Sequence, residues 1–301
     1  MLNTISAILE AAAQAPQKRT IAVAAAHDLD ALEAVAEARK AGIAQGYLVG
    51  NEERIRELLT ELGENSADYV IEHAETDAEC AAKAVAAVRA GKANFLMKGL
   101  LGTADLMRAV IAKETGLRTD RLISHVMLYE VPGKPLLALS DGGMNTFPDL
   151  DKKAEILENA ARVLKALGYK EMNAACVCGA EVVNPKVQST LDAQALTQMT
   201  DRWAPYNMNV CGPVGLDLAV SQEACRHKRY TAPGAGRADI LLVPTYEVGN
   251  GIGKAMSLFA GAQNAGIIVG AQVPIVLVSR SDSARSKLAS MALGAVTAGQ
   301  V

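Results

Sequence analysis

Aromatic residues are scarce in this 301-residue chain, at 4 %, with one Trp and three Phe. That disfavours a sandwich core rich in Tyr and Trp; the Ala, Val, Leu and Ile that dominate suit helices packed closely on parallel strands. No window approaches the roughly 20 unbroken apolar residues of a membrane span. The opening M-L-N-T-I-S-A-I-L-E lacks a basic segment ahead of an apolar run, so no secretory leader is expected. A net charge of -3, with both signs interspersed, provides neither a basic stripe for nucleic acid nor a polybasic segment for anionic lipid. Five cysteines are an odd number, and no C-x-x-C occurs, which argues for reduced thiols and a cytoplasmic protein rather than a disulfide framework. Cys176 and Cys178 read as packing residues on one face of a strand. H-E-x-x-H and G-x-S-x-G are both missing, and no metal site is expected.

What is present is a rhythm. Short apolar runs alternate with amphipathic segments: strands are expected at 20–25, 46–49, 69–72 and 94–97, with helices at 30–40, 52–62, 76–90 and 103–113 between and after them. Asn51 is placed to cap the second of these helices. Such repetition predicts α/β architecture with mostly parallel sheets. Two apolar runs at 121–130 and 136–139, linked by V-P-G-K-P, break the rhythm and suggest a hairpin or edge pair. A second β-α series follows the long helix expected from Asp149 to Leu167, and the chain closes on a helix at 283–298. A length of 301 residues suits two domains.

In open α/β sheets ligands bind beyond the carboxyl ends of the strands, so the residues leaving each strand are the ones to weigh. Lys98 and Gly99 leave one strand, with Thr103 capping the next helix and Arg108 a turn further on, a set that offers charge and free N–H groups to an anion or else forms an ordinary solvated turn. Ser279 and Arg280 end the last strand ahead of a helix capped by Asp282 or Ser283. A guanidinium fork and a hydroxyl there suit phosphate oxygens. The stretch P-T-Y-E-V-G-N-G-I-G-K-A, Pro244 to Ala255, is glycine-rich but fits neither a P-loop nor a dinucleotide fingerprint. It reads as a strand-to-helix turn in which Gly249 and Gly251 permit a positive φ or a close backbone approach. Asn250 and Lys254 face either a ligand or solvent. His125, alternating with apolar neighbours, is a core histidine or a pocket group.

At these strand exits the sequence resembles the phosphate acetyltransferase and phosphate butyryltransferase family. The resemblance rests on K-G-L-L-G-T (98–103), L-R-T-D-R-L-I-S-H-V (117–126), S-D-G-G-M-N (140–145), E-V-V-N-P-K-V-Q-S-T-L-D-A (181–193), C-G-P-V-G-L-D-L-A (211–219), A-D-I-L-L-V-P-T-Y-E-V-G-N-G-I-G-K (238–254) and V-P-I-V-L-V-S-R (273–280). The length, L-I-S-H-V and V-N-P-K-V are nearer the butyryl type. The resemblance implies two α/β domains of the isocitrate/isopropylmalate dehydrogenase kind with a cleft between them. It places a discontinuous domain I at 1–147 plus 279–301 and domain II at 148–278.

The implied reaction converts a short-chain acyl-CoA, butyryl-CoA foremost, plus phosphate into acyl phosphate plus CoA, by direct transfer in a ternary complex. Coenzyme A is substrate or product, and no permanently bound cofactor is implied. Ser279 and Arg280 match the family's catalytic Ser-Arg pair. Lys98, Gly99, Thr103, Arg108, Ser124, His125, Asn145, Gly249, Asn250 and Lys254 are the expected substrate-binding residues. A homodimer or higher homo-oligomer is implied. One departure stands out: where acetyl-type members carry an aspartate six residues after the arginine, proposed as base toward the thiol, this chain has Ser286. Acetyl specificity, a metal-dependent dehydrogenase of the same fold and a non-catalytic CoA or acyl-phosphate binding protein are the alternatives.

Overall fold

The computed structural model describes residues 1–277 and 282–301. In chain order the strands are β1 (Arg19–Ala24), β2 (Ala44–Gly50), β3 (Val70–His73), β4 (Phe95–Lys98), β5 (Ser124–Glu130), β6 (Leu137–Ser140), β7 (Met172–Val177), β8 (Met208–Val214), β9 (Ile240–Leu242), β10 (Gln263–Val269) and β11 (Ile275–Val276). The helices are α1 (Ile5–Gln14), α2 (Leu29–Lys40), α3 (Glu52–Glu61), α4 (Asp77–Arg89), α5 (Thr103–Val110), α6 (Leu150–Ala166), α7 (Gln188–Gln198), α8 (Thr200–Trp203), α9 (Leu216–Val220), α10 (Gln222–Lys228), α11 (Tyr246–Phe259) and α12 (Ala284–Thr297). The chain divides into two compact units. The first is Ile5–Arg121 with Ala265–Val301, and the second is Leu122–Asn264 with Met1–Thr4.

In the first unit the strand order is β3-β2-β1-β4-β11-β10. All neighbours are parallel except β10 and β11. The order reverses between β1 and β4, yet the segments leaving them stay joined at first, with Leu100 N donating to Ala25 O at 2.9 Å. Asn51 caps α3 as expected from sequence, accepting from Arg54 N at 2.8 Å, and Asp28 caps α2, accepting from Ala31 N at 3.1 Å. α12 packs on α1 and α2. Its Gly294 lets it lie close to β4, because a Cβ there would stand 2.8 Å from the buried Phe95 ring.

In the second unit the order is β5-β6-β9-β7-β8. β5 and β6 form the expected antiparallel hairpin, while β6, β9, β7 and β8 run parallel. The carboxyl ends of these four strands therefore share one edge, from which residues 141–149, 178–187, 215 and 244–249 depart. The amino terminus belongs here as well, since Leu2 N donates to Leu167 O at 2.8 Å.

Two local expectations need correction. Gly102, not Thr103, occupies the N-cap of α5, and Thr103 is the first helical residue. The glycine-rich stretch after β9 is no turn: α11 begins at Tyr246, capped by Thr245, and runs through all three glycines, none of which has a positive φ. The compact units divide at 121/122 and 264/265. The pairing of β6 with β9 draws the whole hairpin into the second unit, and β10 and β11 join the first sheet.

Candidate active site

The loop leaving β6 is organised by one carboxylate. Asp141 is buried, and its oxygens accept from Gly143 N and Met144 N, both at 2.8 Å, from His125 N at 3.1 Å, and from the Asn145 backbone N and Nδ2 at 3.3 and 2.7 Å. A carboxylate has about four lone-pair sites, so Asp141 is committed to holding backbone. The same Asn145 amide also donates to Ile123 O at 2.9 Å, fastening the loop to the entry of β5. The His125 ring lies against Gly143, where a Cβ would come within 2.8 Å of Cγ. Ser124 is fully buried; its Oγ accepts from Asn159 Nδ2 of α6 at 2.8 Å. Ser124 thus anchors the strand from behind, and His125 and Asn145 are the residues of this group set beside the loop.

α11 docks on that loop through its glycines. A Cβ on Gly249 would stand 2.8 Å from Gly142 Cα and 3.1 Å from Asp141 O, and one on Gly253 would strike the Tyr129 hydroxyl. Tyr246 N donates to Thr146 O at 3.1 Å, closing the seam. Gly251 is different, exposed with open space where its Cβ would be. Asn250 and Lys254, one turn apart, lie half-buried and exposed respectively. The second unit therefore gathers His125, Asn145, Gly249, Asn250 and Lys254 around the Asp141 loop and α11.

In the first unit Lys98 ends β4, its Nζ turned back to the carbonyl oxygens of Gly99 and Leu101 at 3.0 and 3.2 Å. Gly99 is held against the exit of β1, with Gly99 N donating to Ala24 O at 2.8 Å; a Cβ there would stand 2.7 Å from that oxygen. Arg108 points its guanidinium at Asp105 at 2.7 Å on the exposed face of α5. Ser279 and Arg280 lie outside the described residues. Just beyond them Ser283 caps α12 by accepting from Ser286 N at 3.1 Å.

Two features went unassigned in the sequence. Asp141 sat inside S-D-G-G-M-N without a role; an Asp followed by two glycines directly after an apolar strand is the signature of a carboxylate folding back on its own turn. Lys153 and Asp192 form a buried ion pair at 2.6 Å between α6 and α7, with Gln188 Nε2 donating to the same carboxylate at 2.7 Å. Beside that pair, burial pushes the thiols of Cys176 and Cys178 up, so neither is a thiolate nucleophile at neutral pH. Among the described residues no group of three or more His, Cys, Asp or Glu comes together as a metal site, and no helix is long and apolar enough to cross a membrane.

The sequence matches the phosphate acetyl/butaryl transferase family over residues 64–295. It is 42 % identical to the phosphate butyryltransferase of Clostridium acetobutylicum over 94 % of each chain. It is 41 % identical to the phosphate acetyltransferase of Rhizobium meliloti, over 96 % of this chain and 92 % of that one. Its fold superposes on a branched-chain phosphotransacylase from Enterococcus faecalis V583 with a TM-score of 0.83 at 33 % identity, covering 94 % of this chain and all of the other. The chain therefore belongs to the phosphate acetyl/butaryl transferase family and is an acyltransferase.

Proposed function

We propose that the protein interconverts butyryl-CoA and phosphate with butyryl phosphate and CoA, by direct transfer within a ternary complex. The observation that carries this reading is 42 % identity to a phosphate butyryltransferase across 94 % of both chains, with the family's strand-exit stretches present in order. A phosphate oxygen attacks the thioester carbonyl, a tetrahedral oxyanion forms, the C–S bond breaks, and CoA leaves as thiolate and takes up a proton. Such a step gains most from fixed cations and donors aimed at the developing charge. Arg280 and Ser279 hold the phosphate and the oxyanion in this reading, with Lys98 and Lys254 adding positive charge. His125 and Asn145 flank the substrate, and Ser124 acts by positioning His125. Gly99 and Gly249 shape the site by seating its backbone against the β1 exit and the Asp141 loop, and Asn250 adds a donor, whereas Thr103 and Arg108 sit at the rim. With Ser286 in the place of the acetyl-type aspartate and bound into the α12 cap, solvent takes the role of proton acceptor toward the CoA thiol in the reverse direction. The working form is a homodimer in the cytoplasm, and the reaction calls for no cofactor beyond its substrates.

The test is thiol release from butyryl-CoA with and without phosphate. Phosphate-dependent release supports the transacylase, and NAD reduction with a 2-hydroxy acid would instead favour the dehydrogenase. Binding of CoA without turnover would favour a binding protein. Arg280→Ala is expected to lower kcat by about 100-fold or more, the scale of losing one oxyanion contact. Retention of near wild-type turnover would remove Arg280 from the mechanism. The acetyl reading is favoured if acetyl-CoA outpaces butyryl-CoA.

A further inference from the structure

Of the three phenylalanines, Phe95 is buried in the first sheet, Phe259 is exposed at the end of α11, and Phe147 is 70 % exposed in the loop leaving β6. That loop is not slack. Asp141 and the Asn145 amide hold it on one side of Phe147, and Thr146 O accepts from Tyr246 N at 3.1 Å. On the other side Pro148 is buried and Asp149 caps α6, accepting from Lys152 N at 2.9 Å. A phenyl ring is thus presented to solvent on fixed backbone, where its ordering entropy is already spent before a ligand arrives.

Phe147 has apolar company of the same kind. Val182, Val187, Leu216, Tyr246 and Val248 are also exposed, and each lies in a segment at the shared carboxyl edge of β7, β8 and β9. Beside them, α11 carries the polar and cationic pair Asn250 and Lys254, and the Asp141 loop carries Asn145. The segments at this edge therefore carry exposed apolar side chains together with the Asn250 amide and the Lys254 ammonium, with Glu181 and Asp217 occupied by Lys228, groups that suit a ligand with an anionic head and a hydrocarbon tail. An acyl phosphate and an acyl-CoA both have that form.

On the function proposed above, we propose that Phe147, with Tyr246 in the adjoining segment, contacts the acyl chain and sets the preference for chain length. Each methylene laid against the ring leaves water, so longer chains gain more than acetyl.

Phe147→Ala and the milder Phe147→Leu would be assayed with acetyl-, propionyl- and butyryl-CoA at saturating phosphate, with KM for phosphate and sedimentation measured alongside. The butyryl-to-acetyl ratio of kcat/KM is expected to fall by about tenfold in the alanine variant, from roughly threefold per methylene. Phe147→Leu should lie between, with KM for phosphate and molecular mass unchanged. An unchanged ratio in both active variants overturns the proposal. An equal loss for all three acyl-CoAs with a shift in mass overturns it too, and assigns the ring to contact between copies of the chain. If the wild type shows no phosphate-dependent thiol release with any acyl-CoA, the transacylase reading fails and this inference falls with it, an outcome visible before any variant is made.

Discussion

Asp141 satisfies several backbone donors that the turn itself leaves open. Asp141→Ala strips these part-buried donors of their acceptor, so a loss of roughly 1–3 kcal/mol in stability is expected by denaturant unfolding. Asp141→Asn should recover part of it, because one oxygen remains. Glu64 holds a comparable position in the first unit. Lys40 at 2.7 Å foremost, then the Tyr69 hydroxyl and Arg39, hold its carboxyl down at about 2 against an ordinary 4.5, with burial opposing. A depressed carboxyl stabilises the native state above its unfolded value, so this contribution is complete above about 4.5 and fades as pH falls toward 2. Glu64→Gln should flatten the acid limb of a stability-versus-pH curve between those values and leave its shape above pH 6 unaltered. Asp141 carried a local signature in the sequence, whereas Glu64 acts through Arg39 and Lys40, brought close only by the packing of α2 against the segment after α3.

Among the elements, α11 shows what a helix gains from glycine. Gly249 and Gly253 lie one turn apart on the buried face, where the loop after β6 and the Tyr129 hydroxyl leave no room for a methyl group. Alanine is the better helix former at either site by about 1 kcal/mol, yet the steric conflict dominates. Gly249→Ala and Gly253→Ala should therefore lower Tm. Gly251→Ala, with open space before it, should gain about 0.5–1 kcal/mol, and a Tm no higher than wild type would contradict that account. Three glycines in five residues read as a turn because glycine most often serves turns. The i,i+4 spacing of Gly249 and Gly253 was the competing signal, and it becomes decisive only once the facing backbone of Gly142 is known. Caps fared better, since Asn51 and Ser283 act within their own turns and need nothing distant.

For the molecule as a whole, the β-α alternation was legible because each strand and helix carries its own periodicity. The limits of the compact units, at 121/122 and 264/265, depend on pairings far apart in sequence, such as Ser140 with Leu242 and Val276 with Met97. The site divides along the same line. Residues leaving strands could be picked out one by one, whereas the seam of Gly142 against Gly249 and the fixed presentation of Phe147 required the fold. A chain ending at Asn264 would lack α12, β11 and most of β10. It should keep slow amide exchange within 122–264 and lose it in β1, β4 and α1, whose covering helix and neighbouring strand are gone. Protected amides in β4 of such a fragment would show that the first sheet stands without its last two strands.

The separation of the first unit into two stretches of chain also sets an order of events at the ribosome. Residues 5–121 emerge first but lack the strand that flanks β4 and the helix that covers α1. The second unit is contiguous apart from its first four residues and is complete once Asn264 has left the exit tunnel. Translation therefore delivers the contiguous unit ready to fold while the stretch before it waits for the stretch after it, and α12 closes the unit that α1 opens.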